Sequence, residues 1–215
     1  MIRAVWWDFG GVFTTSPFES FGRYEAEAGL PHDFIRRINS TNPRSNAWAR
    51  FESNQVSVDE FDELFRAESA AAGHPIGGKE VLALISGDLR PRMIEVLRIC
   101  KEHFQVGCIT NNFKSGVVPG KARDEERAAR SAAVMEMFDI IVESSIEGVR
   151  KPDPRIYEIA CERLGVPPAS CAFLDDLGIN LKPARTLGMS TIKVLSEDQA
   201  ISDLSALTGL TFPSA

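Results

Sequence analysis

The sequence predicts an α/β protein with a Rossmann-like parallel sheet that is flanked by helices. Five short apolar runs recur along the chain, and several are apolar throughout, which is typical of strands that are buried on both faces. Amphipathic helical patterns separate the later runs, and this alternation indicates parallel strands joined by helices. A much longer segment separates the first two runs, although a crossover needs only about a dozen residues. The sequence therefore also predicts an insertion after the first strand.

The predicted strands lie at 3–8, 105–110, 139–143, 171–175 and 191–195. The clearest helix is predicted over 153–164, because Asp153 can cap it, Pro154 suits its first position and Gly165 can end it. A second amphipathic pattern predicts a helix from Pro91 to about Cys100. The tail after residue 197 carries no clear pattern.

The inserted segment has its own helical patterns. These predict helices over 17–29, 31–40, 46–53 and 57–71. We therefore expect a helical subdomain over 14–89 and a core domain formed by 1–13 and 90–215. An insertion directly after the first strand lies over the carboxyl edge of the sheet, where it can act as a lid.

Composition excludes several classes of protein. The chain has 215 residues, of which 44% are hydrophobic and 25% charged, as in an ordinary globular domain. Its net charge of −6 argues against a nucleic-acid partner. No apolar run approaches the ~20 residues of a membrane helix, and no secretory signal is recognisable, so we expect a cytoplasmic protein without a membrane partner. Four cysteines without a C-x-x-C pair are expected to be buried free thiols.

Four polar clusters follow predicted strands, at the edge where this architecture gathers a functional site. They are Asp8, the run Thr110-Asn111-Asn112, Lys151 within 148–154, and Asp175-Asp176 with Asn180 close behind. Alone, each has an ordinary explanation as a turn, a helix cap or a solvated loop. Together and in this order, they indicate an active site.

These clusters resemble the haloacid dehalogenase superfamily, most of whose members are phosphatases. The segments 151–157, 173–184 and 187–189 are especially similar to the branch that contains the N-terminal phosphatase domain of soluble epoxide hydrolase. The resemblance covers about 1–13 and 90–195. It implies a helical cap of the first type (C1), which matches the predicted insertion. It also implies that the substrate is a small phosphorylated metabolite.

Asp8 is the predicted nucleophile, because a carboxylate can attack a phosphoryl group and form an aspartyl-phosphate. Asp8 and Asp176 offer the hard oxygen ligands that suit Mg²⁺. The resemblance adds the carbonyl of Gly10 as a third ligand.

The remaining members of the clusters are predicted to hold and neutralise the phosphate. The Thr110 hydroxyl and the Asn111 amide group would bind its oxygens. Lys151 would balance negative charge and keep the nucleophile ionised. Asp175 and Asn180 would orient Lys151 and metal-bound water.

Gly10 departs from the pattern that the resemblance implies, because phosphatases of this superfamily usually carry an acid–base aspartate there. Such assistance is typically worth 10²–10⁴-fold in rate. Three alternatives stay open: a phosphatase that does without this acid or borrows one from the cap, a haloacid dehalogenase, and a catalytically weak or inactive binding protein. Asp176 argues against the dehalogenase, because a second carboxylate beside Asp8 needs a cation. The favoured prediction is a Mg²⁺-dependent phosphatase, either monomeric or homodimeric.

Overall fold

A five-stranded parallel sheet forms the centre of the protein. The computed structural model describes residues 1–85, 87–111 and 122–213. The strands are β1 (Ala4–Trp7), β2 (Gln105–Thr110), β3 (Ile140–Glu143), β4 (Cys171–Asp175) and β5 (Ser190–Lys193). They are ordered β3-β2-β1-β4-β5, and every pairing is parallel. The predicted fold class is confirmed.

Helices cover both faces of this sheet. The core helices are α6 (Pro91–His103), α7 (Ala122–Met135), α8 (Ser144–Glu147), α9 (Pro154–Leu164), α10 (Gly178–Thr186) and α11 (Glu197–Thr208). Successive side chains of a strand point to opposite faces. Val5 and Trp7 therefore pack with α6 and α11, whereas Ala4 and Trp6 pack with α9 and α10.

Five cap helices lie between β1 and β2 in the part of the chain that the structure describes. They are α1 (Pro17–Glu27), α2 (Phe34–Ser40), α3 (Ala47–Glu52), α4 (Val58–Ala71) and α5 (Gly78–Leu84). A third apolar cluster consists only of residues from these helices and their connections, so the cap has its own core.

The chain enters and leaves the cap side by side. Thr14 and Leu89 form an antiparallel bridge. The amide of Thr15 donates to the carbonyl of Asp88 at 2.8 Å, and the amide of Arg90 donates to the carbonyl of Phe13 at 2.8 Å. These contacts support the proposed division at 14–89.

The helix boundaries differ from the prediction in a few places. The first cap helix ends at Glu27, and the second begins only at Phe34. The tail that was expected to be uninformative forms α11, which Ser196 caps through its side chain and Gly209 ends in a left-handed conformation. Both are standard helix signals, but the weak amphipathic pattern between them concealed the helix. Helix α10 is one of the helices expected between the later strands, but no bounds were predicted for it, and Pro183 lies inside it.

All four cysteines are free and buried, as predicted. No helix among the described residues combines the length and the apolar character that crossing a membrane requires.

Gly107 in β2 allows the indole of Trp6 to pack across the sheet. A Cβ on Gly107 would lie 2.7 Å from Cη2 of Trp6 and closer still to other ring atoms. We expect Gly107→Ala to lower the free energy of unfolding by about 1–3 kcal/mol, because the added methyl overpacks a closed core. Denaturant unfolding measures this change.

Gly22 in α1 provides the matched control, since a Cβ there would meet nothing within 4 Å. Gly22→Ala is expected to be neutral or stabilising by up to about 1 kcal/mol. Equal effects of the two substitutions would contradict the packing argument.

Candidate active site

Neighbouring strands bring the predicted site residues to one edge of the sheet. Asp8 directly follows β1, and its amide donates to the carbonyl of Leu174 in β4 at 2.8 Å. Thr110 ends β2 and Asp175 ends β4, on either side of β1. Asp8, Thr110 and Asp175 each carry a polar side chain that is buried. Parallel strands place their carboxyl ends together, so the separate clusters meet.

Lys151 is the centre of the site. Its side chain is 1% exposed, and its Nζ lies 2.9 Å from Oδ1 of Asp8 and 2.8 Å from Oδ2 of Asp175. One ammonium group therefore bridges the predicted nucleophile and the carboxylate at the end of the neighbouring strand. The arrangement balances part of the negative charge that the fold buries here.

Asn111 holds the main chain of Lys151. Its Oδ1 accepts from the Lys151 amide at 2.8 Å, and its Nδ2 donates to the Lys151 carbonyl at 3.0 Å. We expected the Asn111 amide group to bind phosphate oxygens, but in this structure both polar atoms of the side chain are bonded to Lys151. The neighbouring Asn112 lies outside the described residues.

Asp175 is held by its own set of donors. It accepts from the amide of Leu177 at 2.8 Å and from Nδ2 of Asn180 at 3.1 Å. The hydroxyl of Tyr157 then donates to the carbonyl of Asn180 at 2.6 Å. The sequence gives no sign of this role of Tyr157, because an aromatic residue at helical spacing is normally part of a core. The buried hydroxyl is what distinguishes it.

Negative charge exceeds positive charge in this cluster. Burial raises the pKa of Asp8 to about 8; Lys151 opposes the shift, whereas Asp175 and Asp176 add to it. Burial also raises the pKa of Asp176 to about 6, with a further contribution from Asp175. Burial alone would lower the pKa of Lys151, but Asp175 and Asp8 together raise it. A bound cation would relieve this repulsion.

The three carboxylates are close enough to share one ion. Asp8, Asp175 and Asp176 each offer an oxygen atom, and these atoms lie within 4.8 Å of one another. Carboxylate oxygens are the ligands that Mg²⁺ and Ca²⁺ prefer. Both oxygens of Asp175 already accept hydrogen bonds, Oδ1 from Leu177 and Oδ2 from Lys151. Lys151 and the amide of Phe9 both contact Oδ1 of Asp8, so Oδ2 of Asp8 and the carboxylate of Asp176 are the better candidates for a divalent cation.

The two glycines in the loop after Asp8 have different structural roles. Gly11 has φ of 73°, and a Cβ there would lie 2.5 Å from Cγ of Asp176. Arg90 donates to the carbonyl of Gly11 at 2.9 Å and so fixes the turn. A Cβ on Gly10 would meet nothing within 4 Å. The close approach of backbone to carboxylate therefore requires glycine at position 11 but not at position 10.

A family model described as haloacid dehalogenase-like hydrolase matches residues 2–188. The chain belongs to this family. The resemblance deduced from the four clusters is thus confirmed.

Curated relatives include bifunctional epoxide hydrolase 2 of Mus musculus, which is 29% identical over 100% of this chain and 40% of its own length. The sesquiterpene phosphatase astK of Aspergillus oryzae is 28% identical over 96% of this chain and 97% of its own length. The chain spans less than half of the length of the first curated relatives that it matches.

Solved structures share the fold. A HAD family enzyme from Bacteroides thetaiotaomicron, in complex with magnesium and inorganic phosphate, has a TM-score of 0.59 and 21% identity, covering 97% of this chain and 100% of that one. An L-2-haloacid dehalogenase from Xanthobacter autotrophicus has a TM-score of 0.60 and 17% identity, covering 98% and 85%. At these identities the likeness shows the fold alone.

The glycine pair allows a direct test of the carboxylate cluster. We expect Gly11→Ala to weaken Mg²⁺ binding at least tenfold, because its Cβ displaces the carboxylate of Asp176. Isothermal titration calorimetry with MgCl₂ measures the affinity.

Gly10→Ala is the matched control, since its Cβ occupies open space, and it should bind Mg²⁺ as the unaltered protein does. Equal affinity of both variants would exclude Asp176 as a ligand.

Proposed function

We propose that this protein is a Mg²⁺-dependent phosphatase that hydrolyses a small phosphorylated metabolite through an aspartyl-phosphate on Asp8. One observation carries the proposal above the others: the buried ammonium of Lys151 bridges Asp8 and Asp175, next to a further carboxylate. Such a site offers a nucleophile, a fixed positive charge and oxygen ligands within a few ångströms. The phosphatases among the curated relatives support the same reaction class.

Asp8 would attack the phosphorus atom in line with the leaving oxygen. A bond forms between a carboxylate oxygen and phosphorus, and the ester bond breaks with its electron pair moving to the leaving group. Water then attacks the phosphorus of the aspartyl-phosphate, which releases inorganic phosphate and restores Asp8. Lys151 stabilises the negative charge of the transferring group, because it is already oriented and shielded from water.

The residues present fit a magnesium ion. Asp8 and Asp176 would supply carboxylate oxygens and Gly10 its carbonyl, while Gly11 leaves space for the carboxylate of Asp176. The ion would neutralise charge on the carboxylates and the phosphate, so that two anions can meet. The Bacteroides thetaiotaomicron enzyme of the same fold was solved with magnesium and phosphate.

Phosphate oxygens would be held by the end of β2. The Thr110 hydroxyl is buried at this position, on the strand beside β1. Since the side chain of Asn111 is bonded to Lys151, we assign Asn111 a contribution through its main-chain amide. Asp175 and Asn180 would act by holding Lys151 in place. We also propose a cytoplasmic location and a monomeric or homodimeric state.

Gly10 favours a second candidate, a weak or inactive binding protein. Position 10 has no side chain that could protonate the leaving group, whereas the residues proposed to bind phosphate, Thr110 and Lys151, are present. The haloacid dehalogenase is less well supported, because an uncharged haloalkyl group needs no cation and Asp176 would then only suppress the nucleophile.

Asp8→Asn tests the nucleophile. The amide cannot attack phosphorus, so we expect turnover of p-nitrophenyl phosphate with Mg²⁺ to fall below detection while the circular dichroism spectrum stays unchanged. EDTA should abolish the activity of the unaltered enzyme, and MgCl₂ should restore it.

Full activity of Asp8→Asn would exclude the mechanism. A panel of phosphomonoesters, sugar phosphates and acyl phosphates that shows tight phosphate binding but no turnover would instead establish the binding protein.

Gly10→Asp tests what the missing acid costs. The open space at this Cβ can accept the side chain. We expect kcat to rise, by up to the 10²–10⁴-fold typical of acid–base assistance, for alkyl phosphates and only slightly for p-nitrophenyl phosphate, whose leaving group needs no proton. Steady-state kinetics with both substrate types measures the difference.

Gly10→Asn is the control, because the asparagine side chain has the shape of aspartate but has no carboxyl group that could act as an acid. Equal rates for the two variants would show that protonation does not limit turnover.

A further inference from the structure

The cap contacts the core at a second place, in addition to the Thr14–Leu89 bridge where the chain enters and leaves the cap. Glu52, the last residue of α3, accepts from the Ser144 hydroxyl through its main-chain oxygen at 2.7 Å. Its carboxylate forms an ion pair with Arg150. Arg150 also donates to the carbonyl of Pro43 at 3.2 Å. Three polar contacts thus connect two short cap segments to residues that follow β3, the strand at the sheet edge.

This contact is buried. The Glu52 side chain is 9% exposed and that of Arg150 is 20% exposed. Burial raises the pKa of Glu52, whereas Arg150, a hydrogen bond from Trp48 and the charge of Lys151 lower it. A buried charge is costly without its partner, so the pair holds only while cap and core are in contact.

The core side of the contact is joined directly to the catalytic lysine. Arg150 precedes Lys151 in the chain. The amide and the carbonyl of Lys151 are both hydrogen-bonded to the side chain of Asn111. The Lys151 ammonium reaches Asp8 and Asp175. One short segment therefore carries both the side chain that binds the cap and the side chain that binds the nucleophile.

We propose that Glu52 is a positioning residue, which through Arg150 holds the cap closed and fixes the segment that bears Lys151. The cap would move about the Thr14–Leu89 bridge, where the chain enters and leaves it. The Glu52–Arg150 ion pair, which we call the latch, would hold it in contact with the core. The effect on catalysis rests on the proposed phosphatase function, but the latch itself does not.

Amide hydrogen exchange tests the latch without any substrate. We expect Glu52→Gln to speed exchange at least tenfold in segments 43–52 and 144–151, while the strands of the sheet keep their protection. Glu162→Gln is the matched control: it removes the same charge from an exposed pair with Arg155 and should change neither segment. Unchanged exchange in Glu52→Gln would overturn the proposal. This arm is informative even if the protein has no phosphatase activity.

Kinetics tests the link to Lys151. Glu52→Gln and Arg150→Gln should each lower kcat/KM for p-nitrophenyl phosphate about tenfold or more, and the double variant should lose no more than the worse single one. Glu162→Gln should keep full activity. Losses that add up, or losses no larger than the control's, would overturn the proposal.

The leaving group distinguishes positioning from direct proton donation. A positioning residue affects all substrates alike, so the loss in Glu52→Gln should be the same for p-nitrophenyl and alkyl phosphates. A loss that grows for alkyl phosphates would mean that Glu52 itself protonates the leaving oxygen, and the positioning role would be wrong.

Discussion

The site depends on one interaction, the contact of the buried Lys151 ammonium with the carboxylates of Asp8 and Asp175. The fold removes the carboxylates of Asp8 and Asp175 from water, and an isolated buried carboxylate is costly. Lys151 offsets this cost by contacting both at 2.9 and 2.8 Å. The surrounding hydrogen bonds follow from the need to keep it there: Asn111 holds its main chain, and Asn180 holds the second carboxylate. These residues come from four separate parts of the chain, so the site exists only in the folded protein.

One cation does not balance three carboxylates. Burial raises the pKa values of Asp8 and Asp176, and repulsion between the carboxylates adds to this shift; a divalent ion would oppose both effects. The glycine at position 11 belongs to the same design, because its missing Cβ is what lets the carboxylate of Asp176 approach the loop. The close approach of Asp176 explains why position 11 is a glycine, and the excess of negative charge links the proposed phosphate chemistry to a metal requirement.

Much of the fold was predictable because its signals are local. Continuous apolar runs located all five strands, and Pro154 with Gly165 marked the ends of α9. The helices whose bounds were not predicted have local features that explain this: Pro183 lies inside α10, and α11 is only weakly amphipathic despite its caps. For the site, residue type and a position at or after a strand were enough to propose that Asp8, Lys151 and Asp175 lie together. They were not enough to say what Asn111 contacts, since two hydrogen bonds to Lys151 span 40 positions of the chain.

The sequence by itself determined the architecture, the family and the set of polar residues at the strand ends, because periodicity and motif spacing are written along the chain. It also showed that position 10 carries a glycine in place of an acidic side chain. Only the tertiary structure decided how these groups are paired: that Lys151 bridges two carboxylates, that Gly11 carries the steric constraint, and that Glu52 of the cap meets Arg150 of the core. The physical reason is that distance and burial set the strength of charge interactions, and both arise only when distant segments pack together.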